Sequence, residues 1–223
     1  ESAATLCSDA GDHRRASELF EQACLFGAAA QAARLAGDAT RAARLAVLTG
    51  DQHLWLQTAD WLLADMTSER VRIVAADLVA RGNHRQAAHL FRGAGCDEEA
   101  AEAFQRAGDA LDAATCFDAA AKPARAARAL EAALADGVDE TAPGRLRVAL
   151  GQLYARHRKD EAAVRVLQQL EPETAWRRDG LLTLLGCLQR LGLGHAARDL
   201  EPELERHGID PSAAPRDASA VSP

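Results

Sequence analysis

Small and apolar residues return along this chain every thirteen positions. In blocks from Gly82 the sequence reads GNHRQAAHLFRGA, GCDEEAAEAFQRA, GDALDAATCFDAA and AKPARAARALEAA; from Gly11 it reads GDHRRASELFEQA, CLFGAAAQAARLA, GDATRAARLAVLT and GDQHLWLQTADWL. Residues 63–68 interrupt the frame, and a ninth block, ERVRIVAADLVAR, covers 69–81. Positions six and seven are each alanine in seven of the nine blocks, where chance at this alanine content would give about two. Position ten is apolar throughout: Phe20, Ala33, Ala46, Ala59, Leu78, Phe91, Phe104, Phe117 and Leu130. Position one is glycine in six blocks.

Each block predicts one short helix. Glycine at position one can adopt the left-handed conformation that ends the previous helix. Asp12, Asp38, Asp51, Asn83 and Asp109 follow at position two, where a short polar side chain can cap the next helix. Pro123 falls where a first-turn proline is tolerated. Positions six, nine, ten and thirteen share one helical face, which is therefore the predicted core. Paired alanines let helices cross closely, and the phenylalanines fill the space between neighbours. A helix of about ten residues is not stable alone, so its face must be buried by stacking on neighbours. Turns are expected near residues 11, 37, 50, 82, 95 and 108, with Phe91, Phe104 and Phe117 buried. The frame extends back through Ala3, Ala4, Cys7 and Ala10, which puts Glu1 inside a helix. The chain is therefore expected to be a fragment of a longer protein.

Residues 134–143 break the frame with Gly, Pro and acidic residues and predict a loop. Beyond it the pattern lengthens. Residues 144–170 read GRLRVALGQLYARHRKDEAAVRVLQQL. Leu150, Gly151 and Tyr154, then Ala163 and Leu167, resemble the first- and second-helix signature of the tetratricopeptide (TPR) repeat. A poorer copy covers 179–206, where Leu185 and Gly186 match and Gln189 replaces the tyrosine. The earlier blocks resemble the short-helix, TPR-like arrays of vesicle-coat and intraflagellar-transport proteins; Ala107-Gly108-Asp109, Ala113-Ala114 and Phe117 carry the likeness best. The resemblance implies an all-α fold, an α-solenoid of stacked short helical hairpins wound as a TPR-like right-handed superhelix. The organisation read from the sequence is a thirteen-residue array over 1–133, a loop over 134–143, two TPR-like hairpins over 144–207 and a disordered tail over 208–223.

Composition narrows the function classes. The net charge is -7, and residues 1–133 hold 14 Lys/Arg against 19 Asp/Glu. That balance argues against nucleic acid, whose binding needs a basic face. Five scattered cysteines without a CxxC pair read as reduced, buried thiols of a cytoplasmic protein. No apolar run approaches the roughly 20 residues that span a bilayer, so no membrane insertion is expected. No nucleotide-binding glycine motif occurs, and His84 and His89 are five apart, not the i, i+4 pair of a helical metal motif. Cys96 is followed by Asp97, Glu98 and Glu99, a poor setting for a reactive thiolate. No catalytic residue, cofactor or metal site is predicted, and the chain is not read as an enzyme.

The candidate chemistry is recognition. Residues 145–178 hold eight Lys/Arg against four Asp/Glu. In the TPR register, groove-facing positions fall on Arg145, Val148, Gln152 and Arg156 in the first copy and on Thr183, Cys187 and Arg190 in the second. Arg145, Gln152, Arg156 and Arg190 are the predicted partner-binding residues. Guanidinium groups suit a protein or peptide partner that presents an acidic segment. Trp55, Trp61 and Trp176 are either gap-fillers in the stack or exposed aromatic anchors. The expected function is a protein–protein interaction scaffold or adaptor; the alternative is the regulatory arm of a larger signalling enzyme, a kinase or NTPase.

Overall fold

The computed structural model describes residues 2–137, 143–171 and 175–210, and no strand occurs among them. The fold is all-α, and its helices pack consecutively on their sequence neighbours as a helical-repeat solenoid does. The chain divides into two compact units, residues Glu1–Asp109 and Ala110–Pro223. The division falls inside the thirteen-residue array rather than at the 134–143 loop. Helix α10 packs on both α9 and α11, so the last array blocks belong with the helices that follow the loop.

The first unit runs α1 (Ser2–Asp9), α2 (His13–Gln22), α3 (Phe26–Leu35), α4 (Ala39–Leu48), α5 (Gln52–Asp65), α6 (Ser68–Ala80), α7 (His84–Gly93) and α8 (Asp97–Arg106). A single turn design generates the thirteen-residue period. The helix occupies positions three to twelve, position thirteen caps its C-terminus and position one is left-handed. Gly37 (φ 71°), Gly95 (φ 76°) and Gly108 (φ 81°) take that conformation, as do the glycines at 11, 50 and 82. Position two then donates its N–H to the position-ten carbonyl of the block before: Asp38 to Ala33 at 3.0 Å, Cys96 to Phe91 at 2.9 Å, Asp109 to Phe104 at 3.0 Å. This is the six-to-one bond of a Schellman ending. The same residue starts the next helix. Asp12 and Asp38 accept the N–H of Arg15 and Arg41, each at 3.1 Å. Asp109 also receives a two-pronged bond from Arg85.

The buried face differs from the predicted one. Positions six, seven, nine and ten are inward in α3, α7 and α8, as in Ala100, Ala101, Ala103 and Phe104 of α8. Position thirteen lies outside this stripe, exposed at Ala23 and Ala36 and half-buried at Ala94 and Ala107, because the helix has already ended there. Only α5, which runs past its block into the inserted residues, buries positions six, nine, ten and thirteen: Trp55, Thr58, Ala59 and Leu62. There Leu56 at position seven is turned outward. Leu63 of α5 covers Gly93 of α7, where a Cβ would sit 2.6 Å from the leucine side chain. Trp55 is therefore core, whereas Trp61 is half-buried.

The second unit runs α9 (Ala110–Ala119), α10 (Pro123–Asp136), α11 (Pro143–Arg156), α12 (Asp160–Leu167), α13 (Arg177–Arg190), α14 (Gly194–Asp199) and α15 (Glu201–Arg206). Helix α10 continues through Asp136, three residues into the predicted loop, and ends on Gly137 in the left-handed region. The loop's residues 138–142 lie outside the described residues. Helices α11 and α12 form a close hairpin because Gly151 has no side chain: a Cβ there would lie 2.5 Å from Leu167. The second copy departs from the pattern. Its second helix is split into α14 and α15 around Leu200, with Pro202 in the first turn of α15. Proline has no N–H to continue a helix and crowds the carbonyl four residues earlier. The predicted disordered tail also starts too early: Ile209 is buried against Leu181, Leu185 and Leu204. The remainder of that tail, from 211, lies outside the described residues.

Candidate functional site

The site lies in the second unit, between α11 and α13, the first helices of the two hairpins. Near the N-terminal end of α11 these helices lie close: a Cβ at Gly180 would come within 3.6 Å of Val148. Val148 is consequently buried with Leu167, Leu170, Leu184 and Leu188, not presented to a groove as the register predicted. Cys187 is likewise fully buried, and burial pushes its thiol up to about 11. Further along, a pocket of about 490 Å³ opens, lined by Gln152, Ala155, Arg156, Arg158, Leu182, Thr183, Gly186 and Arg190.

Three of the four predicted binding residues, Gln152, Arg156 and Arg190, line this one pocket, with Thr183. Arg145 does not. It sits in the first turn of α11, and its guanidinium lies over the Trp176 ring at 5.7 Å, a cation–π contact. Trp176 is itself half-buried against the core cluster of this unit, so it is not a free anchor.

Each pocket arginine has its own anchorage. Arg190 grips Asp160 at the start of α12 with two nitrogens, its Nε lying 3.0 Å from Oδ2. These bonds hold the Asp160 carboxyl below the usual range, against the opposing effect of burial. The Arg190 side chain is only 20% exposed, so it forms part of the wall. Arg156 is 63% exposed and reaches Asp118 of α9, with Nη1 2.7 Å from Oδ2. The other oxygen of Asp118 lies 2.6 Å from His157 Nε2. Arg158, in the turn after α11, holds a left-handed backbone (φ 59°) without being glycine. The pocket thus combines three guanidiniums with an amide, a hydroxyl and an apolar strip of Ala155 and Leu182. It can accept carboxylate oxygens at its rim and an aliphatic group between them.

The sequence reading missed Asp118, Asp160, Arg158 and Leu182. Asp118 occupies position eleven of its block, where nothing in the repeat marks it. Only the packing of α9 beside α11 brings it to Arg156.

Cys96 stands before α8, and partial burial, then Glu99, raise its thiol pKa, which disfavours a thiolate nucleophile. His89 lies edge-on to Phe104 at 5.3 Å. Among the described residues, no cluster of metal-ligating side chains occurs, and no helix is long and apolar enough to cross a membrane. No protein-family model matches the chain, and neither does any curated protein.

Proposed function

We propose that this chain is a TPR-like protein–protein interaction scaffold or adaptor, and that the α11–α13 pocket takes an acidic segment of its partner. The observation that carries this reading is the convergence of Gln152, Arg156 and Arg190, from two successive hairpins, on a single pocket. The surrounding architecture supports it, since helices that pack on sequence neighbours leave long side faces open to partners. None of the five cysteines is in a disulfide, which fits a reducing, cytoplasmic placement.

The test is fluorescence anisotropy with a labelled peptide alternating Asp/Glu with Leu/Ala, compared with its Asn/Gln analogue. The acidic peptide should bind, and its binding should weaken as salt rises, because the contacts are partly exposed. Arg156→Glu should weaken capture with helicity unchanged by circular dichroism. Arg145→Glu, placed outside the pocket, should have the smaller effect. Equal binding of the two peptides would sink the proposal.

A further inference from the structure

The cationic rim of the pocket is already engaged by a carboxylate of the protein's own. Arg156, whose side chain is 63% exposed, donates to Asp118, whose side chain is only 12% exposed. Asp118 does not line the pocket; it reaches the rim from α9 through this bond. We propose that Asp118 is an internal stand-in for the ligand, and that an acidic segment binds by taking Arg156 away from it. This rests on the reading of the pocket as a site for an acidic segment.

The geometry around Asp118 makes such an exchange inexpensive. A poorly exposed carboxylate that lost its only cation would be left unpaired, which is strongly unfavourable. Asp118 has two donors, one on each oxygen: Arg156 at 2.7 Å and His157 at 2.6 Å. When Arg156 swings to a ligand, His157 remains on Oδ1. Arg156 can swing because most of its side chain is in solvent. Arg190, held by Asp160 and largely covered, stays as a fixed wall. At the rim, the mobile guanidinium of Arg156 therefore stands beside the static one of Arg190. Asp118 sets the affinity for the ligand through Arg156 without touching the ligand itself.

The proposal predicts opposite signs for two neighbouring substitutions. Asp118→Asn keeps the shape of the side chain but removes the competing charge. It should tighten binding of the labelled acidic peptide by roughly two- to five-fold, the range of a partly exposed ion pair. His157→Ala should weaken binding, because Asp118 would then have to surrender its last donor. Glu161→Gln removes an exposed carboxylate from α12 and controls for net charge. The gain from Asp118→Asn should disappear in an Arg156→Gln background, as a double-mutant cycle would show. In the wild-type protein, the side-chain carboxyl resonance of Asp118 should move on addition of peptide, a readout that needs no variant. Equal gains from Asp118→Asn and Glu161→Gln, or an unmoved Asp118 resonance at peptide saturation, would overturn the exchange and leave the pocket reading standing. Failure of both the wild type and Asp118→Asn to bind would overturn the pocket reading and the exchange with it.

Discussion

Among the described residues, three sit in the left-handed region without being glycine: Cys24 (φ 57°), Ala121 (φ 57°) and Arg158 (φ 59°). Cys24 and Ala121 occupy position one of their blocks, where six other blocks have glycine. A Cβ in that region costs about 1–2 kcal/mol, offset in part by the extra chain entropy that glycine loses on folding. Cys24→Gly and Ala121→Gly should each therefore stabilise by about 0.5–1 kcal/mol, read as a higher urea midpoint at unchanged slope. A second residue-scale device is Arg177, whose side chain is buried. It donates to both oxygens of Glu203, at 2.6 and 2.8 Å, and to the Leu170 carbonyl at 2.9 Å. These bonds hold the Glu203 carboxyl below the ordinary glutamate range, with burial opposing. A depressed folded-state value stabilises fully above the unfolded value of about 4.3 and is lost as pH falls through the folded one. Glu203→Gln should consequently be less stable than wild type at neutral pH, and the gap should close in acid. Urea titrations at a series of pH values would check this.

At the element scale, two helices depart from their templates for identifiable reasons. Helix α5 outruns its block and so rotates its buried face to Trp55, Thr58, Ala59 and Leu62. The helical segment after α13 is broken between α14 and α15 at Leu200. There Glu203 and Leu204 both donate to the Leu200 carbonyl, at 3.0 and 2.9 Å, and a new helix begins. Pro202 is the physical cause, so Pro202→Ala should join the two segments into one helix. Far-UV ellipticity should rise, and amide protection should appear across 199–203. Unchanged protection there would show that packing around Leu204 and Ile209, rather than proline, imposes the break.

At the scale of the molecule, each compact unit is held together by contacts between neighbouring helices. In the first unit, α2 with α3, α3 with α4 and α7 with α8 are the main pairs. Stability in such an array is close to a sum of nearest-neighbour terms. Phe104 is 1% exposed and covered by Arg92, whose guanidinium lies 5.2 Å from the ring centroid. Phe104→Ala should cost about 3–5 kcal/mol if the site cannot collapse. Within the first unit, hydrogen exchange should accelerate in α7 and α8 and remain slow in α2 and α3. A uniform rise across the unit would indicate a single cooperative core instead.

The thirteen-residue period by itself determined the all-α class, the turn positions and the burial of Phe91, Phe104 and Phe117, because those depend on local capping and on one helical face. The TPR-like residues likewise marked Gly151, whose missing side chain admits Leu167. Tertiary structure decided the rest. It chose positions six, seven, nine and ten as the buried stripe, since which face of a helix its neighbours cover is set by packing. It buried Val148 and Cys187, which helical register alone would place beside Gln152 and Arg190: Val148 packs with Leu167, Leu170, Leu184 and Leu188, and Cys187 lies under the Arg190 guanidinium. It stacked Arg145 on Trp176, away from the pocket. And it brought Asp118 to Arg156 across 38 positions of sequence, a pairing that no local pattern encodes because only the packing of α9 on α11 creates it.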